Sequence, residues 1–104
     1  MTVDDVLNTI HEVGIVPVLR ANNSNDAFRA VEAVLAGGIP IVEITMTIPN
    51  APALIEQVVR QYGKHALIGA GTVLTSAQAK LCLDAKSFLL LIFAGHSRAQ
   101  YSLN

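Results

Sequence analysis

The stretch PIVEITMTIPNAPALI, residues 40–55, places a carboxylate, Glu43, between Val42 and Ile44 inside an apolar run. A lone buried carboxylate costs several kcal/mol unless it is paired, hydrogen-bonded or neutralised. The chain has only 8 acidic residues, so this placement asks for a reason. Other polar groups end neighbouring apolar runs: Arg20 closes GIVPVLR, Thr45 and Thr47 follow Glu43, and GAGT, residues 69–72, closes a third run. In parallel α/β folds the carboxyl ends of strands are where function gathers. A cation, a carboxylate and several hydroxyls then converge on one rim. Alternation along a strand puts Ile41, Glu43 and Thr45 on one face and Val42, Ile44 and Met46 on the other. The second face suits packing on helices, and the first points into a barrel interior or crevice. A partly desolvated carboxyl there titrates nearer neutrality and suits general acid/base chemistry.

Each of these residues has a plainer reading. Glu43 and Arg20 can form a structural ion pair, which also perturbs titration. Arg20 can bind an anion or simply reach solvent. Thr45, Thr47 and Thr72, taken singly, fit β propensity and capping. The GAGT glycines permit a tight turn; they also leave room beside Glu43 for a small substrate. His11, His65 and His96 have no ligand spacing, so no metal site is expected. Cys82 falls on a helical pattern and reads as a core or surface thiol rather than a nucleophile.

The elements that position these groups alternate. Val3, Val6, Leu7 and Ile10 follow helical spacing. GIVPVLRA, residues 14–21, is expected as a first strand, although Pro17 cannot donate to a ladder. A helix follows, capped by Ser24 or Asn25, with Ala27, Val31, Val34 and Leu35 on one face and Gly37–Gly38 as its stop. IPIVEITMT is the second strand. The next helix has Asn50 as cap, Pro52 in its first turn, Leu54, Ile55, Val58, Val59 and Tyr62 inward, and Gly63 at its end. HALIGAG is the third strand, TSAQAKLCLDA a helix capped by Thr75 or Ser76, and SFLLLIFAG a fourth strand. HSRAQYSLN has no periodicity and is expected to fray. The fold class is therefore α/β, with parallel (β/α) units joined by short connections and strands covered on both faces.

Composition narrows the partners. The chain has 104 residues, enough for a single small domain, a formal net charge of -1, and 14% charged residues against a usual value near 25%. That balance argues against nucleic acid and an anionic membrane surface. An apolar surface of this kind suggests a partner or a larger domain. With one cysteine, no internal disulfide framework is possible. MTVDDVLNTI lacks the features of a signal peptide, and the longest apolar run, FLLLIFAG, is too short to span a bilayer. The cytoplasm is the expected compartment.

GIVPVLR, AVEAVLAGGIPIVEITMTIPNAPALI and LIGAGTVLTSAQAKLCLDA together resemble the amino-terminal half of the 2-keto-3-deoxy-6-phosphogluconate (KDPG) and 4-hydroxy-2-oxoglutarate aldolases, over about residues 13–85. The resemblance implies a TIM-type (β/α)8 barrel truncated to about its first half, and a homotrimer. It implies a class I aldolase that cleaves a phosphorylated 2-keto-3-deoxy sugar acid to pyruvate and glyceraldehyde 3-phosphate, related members releasing pyruvate and glyoxylate. No metal or organic cofactor is implied. A lysine forms a Schiff base with the keto carbon, and a glutamate moves a proton through a bound water. Glu43 matches that glutamate. Arg20 and Thr72 match positions lining the pyruvate or carboxylate subsite, and Thr47 falls where some members contact substrate.

The resemblance stops near Ala85. KSFLLLIFAGHSRAQYSLN has no Ser-Pro pair where the family has one, so residues 86–104 depart from it and read as a truncated or frameshifted end. The family's Schiff-base lysine is expected on a later strand beyond residue 104. Lys64 and Lys86 precede strands three and four, on the rim opposite Glu43, and Lys80 is on a helix, so none is expected to replace it. The resemblance then implies a chain inactive on its own. Two other readings remain: a non-enzymatic half-barrel module that self-associates, and a flavodoxin-like binder using GAGT for phosphate. The last expects a glycine-rich turn after strand one, where this chain has RANNSND.

Overall fold

A computed structural model describes residues 2–85 and 89–92. Four parallel strands alternate with four helices: α1 (Val3–Val13), β1 (Val18–Leu19), α2 (Ser24–Ala36), β2 (Ile41–Thr45), α3 (Ala51–Tyr62), β3 (Leu67–Val73), α4 (Ser76–Asp84) and β4 (Leu89–Ile92). The spatial order is β1-β2-β3-β4, with each strand beside its predecessor. A flavodoxin-like sheet reverses its order at a switch point, so the monotonic order removes that reading and fits successive units of a barrel. Residues 93–104, including the stretch expected to fray, lie outside the described residues.

The two faces of the sheet pack differently, as the alternation along β2 requires. Val42 and Ile44 join Ala27 and Val31 of α2, Leu54, Ile55 and Val58 of α3, and Ala79 and Cys82 of α4 in the main core. Ile41, on the opposite face, joins Leu67, Val6 and the partly buried Ile10, Val13 and Val16 in a second cluster under α1. All five residues of β2 are buried, so this strand is the axis of the molecule.

The local differences from expectation have local causes. The first strand is only Val18–Leu19, because Pro17 has no N–H to give; its carbonyl instead accepts from the Glu43 N–H at 2.9 Å. The cap of α2 is Asn23 rather than the expected Ser24 or Asn25, its side chain accepting from the Asp26 N–H. Ser24 donates to the Pro49 carbonyl at 2.8 Å and ties α2 to the loop after β2. Asn50 does precede α3 but caps it without a side-chain hydrogen bond, in a left-handed conformation with φ 57°. Thr75 caps α4, and Gly14, at φ 81°, ends α1 with its N–H on the Ile10 carbonyl.

Candidate active site

Glu43 sits at the centre of the sheet's inner face. In register it lies between Val18 of β1 and Gly69 of β3. It is only 4% exposed, and its Oε2 is buried without a hydrogen-bond partner. The carboxyl lies against the backbone of Gly71, in the space a side chain there would occupy. Burial pushes the Glu43 pKa above the ordinary glutamate value, and the positive charge of Arg20 partly opposes that shift. The predicted structural ion pair is not formed. Arg20 is exposed, and among the described residues the side-chain ion pairs are the exposed helical pairs Glu56–Arg60 and Lys80–Asp84. Arg20 acts on Glu43 through its field rather than by contact.

The hydroxyls are arranged around the same strand ends. Thr45 is fully buried, and its Oγ1 lies 2.7 Å from Oγ1 of the exposed Thr47. The Met46 N–H donates to the Gly71 carbonyl at 2.8 Å, just past the last strand residue of β2. The next residue, Thr72, has φ 54°, a left-handed conformation that a β-branched residue adopts only when its surroundings force it. The β3–β4 register shifts between Ala70 and Val73, so this strain sits in a bulge. The structure thus brings Glu43, Gly71 and the Thr72 backbone together. Thr47 is exposed and meets the Thr45 hydroxyl. The room expected beside Glu43 for a substrate is, at Gly71, taken by the Glu43 side chain itself. The contact of Glu43 with Gly71 crosses from β2 to β3, which alternation along a single strand does not reveal.

Lys64 is exposed in the turn before β3, and Lys80 is on α4 and engaged with Asp84, so neither stands beside Glu43. Lys86 lies outside the described residues. No group of three potential metal ligands occurs among the described residues. Cys82 is buried in the main core with its Sγ 3.3 Å from the Met46 sulfur, and burial pushes its thiol pKa up, which is the chemistry of a packing thiol. No helix among the described residues is long and apolar enough to cross a membrane.

The family model for KDPG and KHG aldolase matches residues 6–91. The chain belongs to this family. It is 39% identical over 64 residues to the 2-dehydro-3-deoxy-6-phosphogalactonate aldolase of Escherichia coli, covering 62% of this chain and 31% of that protein. It is 34% identical over 76 residues to the 2-dehydro-3-deoxy-phosphogluconate aldolase of Treponema pallidum, covering 72% and 35%. The crystal structure of the Legionella pneumophila KDPG aldolase, which holds pyruvate as a covalent carbinolamine, superposes with a TM-score of 0.67 at 32% identity, over 74% of this chain and 37% of that one. A designed cube-shaped cage, made by fusing symmetric oligomeric domains, superposes with a TM-score of 0.66 at 35% identity, over 72% and 28%. The chain therefore spans about a third of the length of the curated relatives it matches.

Proposed function

We propose that this chain carries the proton-transfer part of a class I aldolase site acting on a phosphorylated 2-keto-3-deoxy sugar acid, with pyruvate as one product. The observation that carries the reading is the Glu43 carboxyl, buried, without a partner on Oε2, and raised in pKa. Structural acids are paired; an unpaired one facing a strand-end rim is poised to exchange a proton with something that enters. In such a reaction a lysine amine adds to the keto carbon, and the carbinolamine loses water to give an iminium. The C–C bond then breaks toward the imine, leaving an enamine and releasing the aldehyde. Glu43 takes up, through water, the proton of the hydroxyl that becomes the aldehyde and returns one to the enamine carbon; water then hydrolyses the iminium to pyruvate and the free amine. Arg20 and Thr72 hold the substrate carboxylate, and Thr47 contacts the remainder. In this reading none of Lys64, Lys80 or Lys86 supplies the amine, and these 104 residues by themselves are expected not to cleave the substrate. No metal or organic cofactor takes part.

Two measurements test this together. Titrating pyruvate into the 15N-labelled chain is expected to move the amide signals of Glu43, Gly71 and Thr72. Mass analysis after pyruvate and borohydride is expected to show an unmodified chain, since the amine is missing. A stable adduct on a lysine would show the chemistry to be complete in this chain and overturn the assignment of the amine elsewhere. Unmoved amides would sink the keto-acid site itself.

A second reading is favoured by the surface. Leu7, Ile15, Val18, Leu74, Leu81 and Leu83 are all large, apolar and exposed. In this reading the chain is a half-barrel interaction module that self-associates, with the homotrimer of the family as the model for a homo-oligomer.

A further inference from the structure

We infer that Gly71 is a positioning residue for Glu43, its missing side chain being the seat in which the Glu43 carboxyl rests. The usual reason for a glycine is absent. Among the described glycines positive φ occurs at Gly14 and Gly38 and not at Gly71, so the φ at 71 does not itself call for glycine. What excludes a side chain is Glu43. A Cβ at 71 would overlap Oε1, fall 2.6 Å from Cδ and 3.0 Å from Cγ. Because Cγ is also crowded, turning the terminal carboxyl does not relieve the overlap, and the whole side chain must leave its rotamer. The obstructing atoms are the end of a flexible side chain rather than backbone. Gly71→Ala therefore relocates the acid at little cost to the fold.

The direction of that move is set by the neighbours. Glu43 is flanked on its own face by Ile41 and Thr45, β1 contributes Val18 in register, and Arg20, just after β1, is the nearby charge. Below lies the apolar cluster of Ile41 and Leu67. Val18, its neighbour in register, is half exposed, so a displaced carboxyl finds water on the β1 side and is rehydrated. The glycine then selects the buried position, and with it the raised proton affinity of the acid.

The catalytic meaning of this inference rests on the aldolase reading; the steric coupling does not, and its test keeps them apart. The full chain, labelled with 13C at glutamate carboxyls, is titrated by NMR as the parent and as Gly71→Ala. The Glu43 midpoint is expected to fall in the variant toward the ordinary glutamate value of about 4.3, while the other glutamates keep theirs. A Glu43 midpoint unchanged in a folded variant overturns the inference. Should Gly71→Ala fail to fold, Glu43→Ala/Gly71→Ala decides. Recovery of folding confirms that the carboxyl was the obstacle, and no recovery overturns it. Neither outcome depends on pyruvate, so failure of the keto-acid titration above with a shifted Glu43 midpoint would sink the aldolase reading alone.

Discussion

A buried carboxyl with a raised pKa is a liability whose size depends on pH. Folding raises the Glu43 pKa, so the unfolded chain releases its proton first as pH rises. Below the unfolded value both states hold the proton and the cost is absent; through the window between the two values stability falls, and above the folded value the whole cost is present. Glu43→Gln keeps the shape without the charge. It is expected to raise the stability of the chain by about 1 kcal/mol at neutral pH, within the range that single stabilising substitutions reach, and to lose that advantage below pH 4. Urea melts of parent and variant at pH 3.5 and 7.5 check this, and a pH-independent difference would count against it. Thr72 stores a different kind of strain. A β-branched residue at φ 54° is relieved by glycine, so Thr72→Gly is expected to melt no lower than the parent, yet to weaken pyruvate-induced amide shifts through loss of the hydroxyl. A variant that melts well below the parent would show that the side chain, rather than the bulge, holds that position.

At the scale of elements, what could be read in the sequence was what repeats. The β/α alternation, the helical faces ending in Val31, Leu54, Ile55 and Val58, and the two faces of β2 follow from periodicity, and the structure has them. What could not be read depends on contacts between elements. The length of β1 is set by what Pro17 cannot donate to β2, and the cap of α2 by which of Asn23, Ser24 and Asn25 is drawn off to Pro49. The site divides in the same way. Burial and face of Glu43 were legible from its neighbours, while its lack of contact with Arg20 and its rest on Gly71 arise across three strands. The elements themselves lean mainly on the outer core. Ile55→Ala on α3, at a fully buried position, is expected to cost about 2–5 kcal/mol. Asn23→Ala, which removes a surface cap, is expected to cost about 1 kcal/mol. Chemical melts order the two, and an equal cost would mean that α2 is held chiefly by its cap.

The whole molecule carries its apolar side chains unevenly, and that bears on how it exists in solution. Among the described residues β1 is an outer strand, only two residues long, with Val18 half exposed and Ile15 beside it equally open. An outer strand presents unpaired N–H and C=O groups along one side and apolar side chains above, the combination that draws in another strand. Leu81 and Leu83 are exposed on α4, but a helix has no unpaired backbone along its length, so apolar contact is all it offers. The 104-residue chain is therefore expected to associate with itself through the β1 side. Burying a valine or isoleucine side chain contributes about 1.5–3 kcal/mol, so its loss weakens association roughly tenfold or more. Sedimentation velocity across a concentration series is expected to show association in the parent, loss of it in Ile15→Lys/Val18→Lys, and its retention in Leu81→Lys/Leu83→Lys. Melts accompany each variant, because Val18 lies in register with Glu43 and a lysine there gives that carboxyl the partner it lacks. The edge variant should then be both more monomeric and no less stable. Monomers in the parent, or dissociation caused only by the α4 variant, would remove β1 as the surface through which copies meet.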